Sequence, residues 1–549
     1  MNDQTERQFM GVEQLSLRSL ILGMAGSALI TASSMYVALR MSALPWSTIF
    51  VAVLSMALLK ILGRTTLNEI NITQTSMSAG AMVAGGIAFT LPGLWITKIW
   101  DNPLMLPEHF WQVFAISLAG MLLGTVATWF LRPQFIEQEN LPYPIGIAAA
   151  QTISAGDAGG KKASVLFGTM GISALLTFFR DQLSWFPAAL SFKWLYAHNF
   201  FLGIWLSPMA AGIGYMIGPL FTGVWFVGAA LSYLLIIPLG TLFKLFPTTT
   251  AAIAFKNTAG IGLMIGTGAG ILLSFVFSWS LAGWGCRKKQ VPASGQTTLK
   301  RRFPRILVYS AILLSLVLAI ASGIPTWPSV LLIFGITAAA AMAAIITGET
   351  GINPMEIFGI IVVLTIRLVS RVENTGAFFI AAGVAIASGY AGDLLNDYKT
   401  GKMLGTNPVA QLISQIAGGI VGALVASVAM FAIISQFGGV GPERGLSAGQ
   451  AFAVAEMVHG VGDPLVLSIA IGVGAVLYLL KVPAMTLGLG LYLSFEISAA
   501  LFLGGLLRWA QDRFNPQGVE TGNIAASGFF GGEGVCGVLI AIFKMVTKG

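Results

Sequence analysis

The chain has 549 residues, 56% of them hydrophobic and only 9% charged; a soluble domain carries about 25% charged residues to clothe its surface, so a soluble fold is excluded. The net charge of +8 does not mark a nucleic-acid binder, because no aromatic or groove-reading module accompanies it. Two cysteines, Cys286 and Cys536, and three histidines, His109, His198 and His459, exclude a disulfide framework and argue against a metal site built from those residues.

The first 16 residues are polar and charged, and the apolar run Leu17–Leu39 is long enough to span a bilayer. It reads as a retained anchor and not as a cleaved leader. Apolar segments then follow nearly end to end, near 44–62, 68–91, 110–131, 141–155, 163–186, 208–230, 231–246, 250–283, 304–322, 326–347, 354–371, 376–395, 404–436, 463–480, 482–509 and 523–546. A span takes roughly 20 apolar residues, and several of these are too short or too long for one simple crossing. The expected fold is an all-α, polytopic membrane helical bundle of about 16 transmembrane helices.

Charge along the loops sets the expected orientation. Lys60 and Arg64 follow the second span, Asp101 and Glu108 follow the third, and Arg132 follows the fourth. Between Trp284 and Arg305 lie Arg287, Lys288, Lys289, Lys300, Arg301, Arg302 and Arg305 with no acidic residue, which is the positive-inside pattern. Lys544 and Lys548 place the C-terminus inside as well. The expected division is a cytoplasmic N-terminal segment 1–16, a first half 17–283, a basic cytoplasmic loop 284–305 and a second half 306–549. The halves look related. "GIGYMIGPLFTGVWFVGAALS" from Gly212 resembles "GLGLYLSFEISAALFLGGLLR" from Gly488, with Gly212, Gly214 and Gly228 falling on Gly488, Gly490 and Gly504 at one offset. The Pro45 region resembles the Pro354 region. Eight spans in each half would make the repeats parallel, and a miscounted span would make them inverted. Gly262, Gly266 and Gly270 share one helix face, as close helix packing requires. The run "GTGAG" is no phosphate loop, and the absence of a Walker A motif argues against ATP as the energy source.

Polar residues inside apolar runs are costly and usually face a cavity or a partner. In "LNEINITQTSMSAG", Asn68, Asn71, Gln74 and Thr75 come with Glu69, and a helix puts Asn71, Gln74, Thr75 and Ser78 on one face. They suit either a ligand with peptide-like groups or interhelical hydrogen bonds. In "ENLPYPIGIAAAQT", Pro142 and Pro144 flank Tyr143 and break helical continuity, which is tolerated beside a cavity. In "TGETGINPMEIFG", Glu349 and Asn353 flank a glycine break before a helix start at Pro354, so Glu349 is the first candidate proton carrier. Asp393 and Asp397 are four apart in "AGDLLNDYKTGKMLGTNP", either on a functional face or at a solvated helix end. Glu496 and Glu533 are lone carboxylates in apolar runs, with Lys256 as a candidate partner. His459 and Asp463, also four apart, supply only two ligands and read as a surface loop. Arg180 and Asp181 read as an interfacial pair.

These stretches, together with "GIGYMIGP" and "SGFFGGEGVCG", resemble the oligopeptide transporter (OPT) family, which includes the yellow-stripe-like transporters of metal chelates. The similar stretches run from about residue 68 to 540, and Leu-Pro-Tyr-Pro and Asp-Tyr-Lys-Thr-Gly are the more specific among them. The resemblance implies about 16 helices, proton-coupled import, and short peptides, glutathione or metal chelates as substrates. The chain departs from the family where Ile145 and Gln151 follow Leu-Pro-Tyr-Pro, and where Gly351-Ile352-Asn353-Pro354 replaces Asn-Asn-Pro.

The expected function is therefore a secondary active transporter importing short peptides across the cytoplasmic (inner) membrane, with protons as the expected coupling ion; the alternative cargo is a metal chelate. A channel would show a repeated filter or charged rings, and an intramembrane enzyme a nucleophile–base or metal constellation; neither is present, and no cofactor is expected. Candidate substrate-binding residues are Asn68, Asn71, Gln74, Thr75, Tyr143, Asn353 and Lys256. Candidate proton-coupling residues are Glu349, then Glu496, Glu533 and Asp393. Expected partners are the substrate, protons and the lipid bilayer, with a homodimer as the candidate oligomer.

Overall fold

The computed structural model describes residues 8–9, 12–41, 47–101, 106–158, 160–191, 193–197, 199–282, 305–351, 353–441, 444, 446, 448–459 and 463–548. Helices α1 (Leu17–Met41), α2 (Ser47–Ile61), α3 (Leu67–Ala88), α4 (Pro107–Arg132), α5 (Pro144–Ala158) and α6 (Gly160–Thr177) come first. A broken helix, α7 (Pro208–Ile217) and α8 (Pro219–Ala230), and the long α9 (Thr249–Ala282) follow. Next are α10 (Arg305–Ala321), α11 (Thr326–Thr350), α12 (Met355–Val369), α13 (Asn374–Leu404), α14 (Pro408–Gln436), α15 (Gly449–His459) and α16 (Pro464–Leu479). A second broken helix, α17 (Ala484–Tyr492) and α18 (Phe495–Phe514), precedes α19 (Val519–Lys548). Two small antiparallel hairpins, β1 (Gln8–Phe9) with β2 (Val12–Glu13) and β3 (Ala189–Ser191) with β4 (Gly203–Trp205), are the paired strands among the described residues.

Seven helical stretches among the described residues are long and apolar enough to cross a membrane, and four shorter apolar helices accompany them. The chain is an all-α polytopic membrane protein. The basic segment 284–304, Cys286, Pro45 and the side chains of His459, Lys544 and Lys548 lie outside what is described. Two expected spans are corrected. The run 208–230 is interrupted at Gly218 (φ 90°), which ends α7 and leads into Pro219; the run 482–509 is interrupted at Leu493 and Ser494. Helix α13, expected to end near 395, continues to Leu404.

Small residues let backbones touch where helices cross. Gly86 of α3 lies against the backbone of Ile386 in α13, Gly80 against Gly422 of α14, and Gly120 of α4 against the carbonyl of Gly383. Helices α3 and α13 run antiparallel, since Gln74 bonds Asp397 while Gly86, further on, meets Ile386, earlier in α13. Helices α4 and α14 are antiparallel too, with Thr125 bonded to Gln415 and Met121 packed on Gly419.

The two broken helices also cross antiparallel. A β-carbon on Gly214 would run into the carbonyl of Leu501, one on Gly504 into that of Ala211, one on Gly228 into that of Leu487, and one on Gly490 into that of Trp225. A single sequence shift converts the first contact into the fourth and the second into the third, and carries the break at Gly218 onto Ser494. Ala79, Gly80, Ala84, Gly86 and Ala88 of α3 likewise recur in α13 as Ala382, Gly383, Ala387, Gly389 and Ala391. Asn257, Gly262 and Gly266 of α9 recur in α19 as Asn523, Gly528 and Gly532.

Candidate functional site

Three buried helices supply the polar core. From α3, Asn71 Nδ2 donates to Thr406 Oγ1 at 3.1 Å, and that hydroxyl donates to Asn68 Oδ1 at 3.0 Å. Gln74 Nε2 donates to Asp397 Oδ1 at 3.0 Å, and Thr75 Oγ1 accepts from Gln411 Nε2 at 3.2 Å. The four predicted polar residues of α3 are thus brought together, and their bonds run between helices. Glu69, at the same helix start, is held by Arg18 at 2.5 Å, Ser16 and Thr65. The reading of Asp393 and Asp397 as a solvated helix end is wrong: they are 3% and 0% exposed. The reason is that α13 passes through the middle of the bundle, with α3, α4 and α11 around it.

Asn353 sits in the break between α11 and α12, where Gly351 (φ 73°) ends α11 in a left-handed turn. Its Nδ2 donates to Ser388 O at 2.9 Å and Asp393 Oδ2 at 2.8 Å. Tyr143 is fully buried, and its hydroxyl donates to Ala344 O at 2.9 Å. Its own N–H bonds Gly348 O at 2.8 Å, so the Pro142–Pro144 bend is fastened to the last turns of α11. Lys399 reaches back to the same bend, at Asn140 Oδ1 and Leu141 O.

Glu349 faces elsewhere, into a cavity of about 460 Å³ between α8, α9, α11, α16 and α17. Leu220, Phe221, Met342, Ile345, Ile346 and Met485 make it mainly apolar; Thr267, Tyr478 and Lys481 bring polar groups to its wall. Helices α8 and α17 both start at this wall, and neither has a side-chain N-cap. Their free N–H groups and Lys481 make that side electropositive, as helix N-termini do, whereas Glu349 supplies negative charge. No described ion pair joins Glu349 to Lys481. The volume lies in the range of small-molecule sites, roughly 300–1,000 Å³. The predicted substrate residues of α3, Tyr143, Asn353 and Lys256 do not line this cavity. Lys481 was missed by the sequence reading; its one signal is a lysine just before Val482-Pro483, where a helix begins.

The remaining predicted groups form separate constellations. Glu533 is bonded by Arg180 at 2.8 Å, Ser207 Oγ at 2.8 Å and Met209 N at 2.9 Å. Arg180 also holds the half-buried Asp181 at 2.6 Å, so the pair expected at an interface is joined to buried Glu533. Glu496 accepts from Tyr196 Oη at 2.6 Å; burial, and then the Glu496 carboxylate, push that phenol up to about 12. Lys256 is not the partner of either carboxylate. Its Nζ donates to Leu491 O, Tyr492 O and Asn257 Oδ1 at 3.0, 2.8 and 2.9 Å, and lies 4.9 Å from the Tyr233 ring. The break after α17 leaves carbonyls without helical partners, and a cation is favoured at that end.

Removing Arg180 strands Glu533 in the interior. Arg180→Met is expected to cost about 3–5 kcal/mol, read as a lower melting temperature of purified protein. Arg180→Met combined with Glu533→Leu should recover much of the loss, and a double variant as unstable as the single one would contradict the ion-pair account.

A family model described as "OPT oligopeptide transporter protein" matches residues 14–544. The chain is similar to a "Putative oligopeptide transporter" of Haemophilus influenzae, with 26% identity across 94% of this chain and 93% of that protein. It is also similar to "Putative oligopeptide transporter YGL114W" of Saccharomyces cerevisiae, with 29% identity across 36% of this chain and 31% of that protein.

Proposed function

Since the chain belongs to the OPT oligopeptide transporter family, we propose that this membrane transporter imports short peptides across the cytoplasmic membrane, driven by protons, with both termini on the cytoplasmic side. The observation that carries the reading is the cavity. It offers Glu349 on one wall, Lys481 and two uncapped helix starts on another, and apolar side chains between them. A short peptide has the matching parts for the rest: a carboxylate end for Lys481 and the helix starts, and an apolar body for the walls between.

The same two charges supply a coupling mechanism. Closing the cavity removes water, and an unmatched charge is then costly to enclose. Lys481 is matched by a substrate carboxylate and Glu349 by a proton. Only the doubly neutralised cavity closes readily, so one proton accompanies one carboxylate-bearing substrate. Closure and reopening on the other side require a pair of interconvertible arrangements. The mirrored crossings of α3 with α13, α4 with α14 and α7–α8 with α17–α18 support two related halves. Because matched helices run antiparallel, the duplication is inverted and not parallel. Inverted repeats exchange their conformations to open a central site alternately to each side.

The test is uptake into proteoliposomes of di- to hexapeptides, glutathione and Fe-, Ni- or Cu-chelates, with and without an inward proton gradient. Accumulation of short peptides that needs the gradient is expected. Transport confined to chelates would replace the proposed cargo, and peptide uptake indifferent to the gradient would remove proton coupling.

A further inference from the structure

Asp393 and Asp397 lie one turn apart on α13, both buried. No described ion pair includes either of them. The basic side chains that follow them on α13 are engaged elsewhere: Lys399 with Asn140 and Leu141, and Lys402 with Ile136 O and Asn140. Each carboxylate is held through one oxygen by an amide nitrogen, Asp393 by Asn353 and Asp397 by Gln74. The other oxygen of each, Asp393 Oδ1 and Asp397 Oδ2, has no hydrogen-bond partner.

The amides that steady the carboxylates have unpartnered oxygens of their own, Asn353 Oδ1 and Gln74 Oε1. Ser78 Oγ stands beside Asp397, and Thr347 Oγ1 stands with Asn353 against Gly392, next to Asp393. Both hydroxyls are fully buried, as is the Gln74 side chain, and Thr347 Oγ1 has no hydrogen-bond partner. Two carboxylate oxygens and two amide oxygens are acceptors only while the acids are ionised. Protonating both acids would turn the two carboxylate oxygens into donors and leave the two amide oxygens as acceptors. A hard cation, which collects six or more oxygens from carboxylates, amides and hydroxyls, would use all of them and offset the buried charge.

We propose that Asp393 and Asp397, with the oxygens of Asn353, Gln74, Ser78 and Thr347, form a site for a hard metal cation held by oxygen alone. The site is separate from the cavity: none of these residues lines it. It also joins three elements, α3, α13 and the α11–α12 break, so an occupied site would lock them together.

The experiment uses the full-length protein in detergent, with no gradient and no substrate, so its outcome is independent of the transport reading. Binding of ²²Na⁺ and ⁴⁵Ca²⁺ is measured at equilibrium. Melting is followed in sodium, calcium or magnesium chloride against choline chloride at matched ionic strength. Saturable binding of one cation per chain is expected, with a melting temperature raised by about 2–4 °C. Asp397→Asn should weaken it at least about tenfold, and Thr347→Val, which retains both carboxylates, should weaken it too. Asp512→Asn, which changes a surface carboxylate, should leave it unchanged. The isotope measurement on the unaltered chain decides the matter if a variant does not fold. No bound cation at millimolar concentration, with identical melting in choline, would overturn the site and leave the two acids simply protonated.

Discussion

Replacing Glu349 with glutamine is expected to abolish pH-driven accumulation of substrate while exchange at equal pH continues. The substitution preserves the shape of the side chain and removes its titration. It mimics the state in which Glu349 already carries a proton, so the cavity can close on a substrate carboxylate at Lys481 whatever the pH outside. Exchange needs only that closure. Accumulation needs a group that takes a proton on one side and gives it up on the other, and the amide cannot. For one proton per substrate, one pH unit is worth about 1.4 kcal/mol, or a tenfold concentration ratio. The unaltered protein should approach that ratio in proteoliposomes, whereas Glu349→Gln should settle near equality. Continued tenfold accumulation by the variant would move the coupling proton to another residue.

The second large effect is expected at the crossing of the two broken helices. Gly490 lies on the carbonyl of Trp225 and the α-carbon of Gly228. An added side chain there meets backbone, which cannot rotate aside as a side chain could. Alanine in a helix gains up to about 1 kcal/mol over glycine, whereas forcing a packed contact apart costs about 1–3 kcal/mol or more. The clash therefore wins, and Gly490→Val enlarges it without the full propensity gain. Loss of the monodisperse folded species in size-exclusion chromatography is expected for Gly490→Val and for its counterpart Gly214→Val. Gly223 and Gly472 have no neighbouring atom within 4 Å of an added β-carbon. Their alanine variants should fold as well as the parent, and failure there would assign the effect to glycine loss in general.

Much of the fold was legible because bilayer spans are written in long apolar runs. The breaks were not equally so. Gly218–Pro219 is an overt interruption, yet its counterpart at Leu493–Ser494 contains neither glycine nor proline and shows only through the repeat. Asp393 and Asp397 followed by Lys399 and Lys402 look like a solvated helix end, because a sequence does not say that the helix bearing them runs through the centre. Glu349 was recognisable from its glycine break. Lys481 was not, since a lone lysine between apolar segments looks like any loop. Lys256 shows the limit of pairing by charge: its partners are backbone carbonyls, which every residue has.

Helix α13 also constrains the order in which the protein is made. Leaving the ribosome it carries Asp393, Asp397, Lys399 and Lys402 within its last turns, and a charged residue at the centre of an inserting helix costs about 2.5–3.5 kcal/mol. The bilayer alone would accept this segment poorly. Its amide partner Gln74 is on α3, whose last residue Ala88 is synthesised nearly 300 residues before Asn374. At roughly 5–20 residues per second, that interval is about 15–60 s. The first helices must therefore wait in the membrane, with their polar faces sheltered, until α13 emerges to fill the space between them.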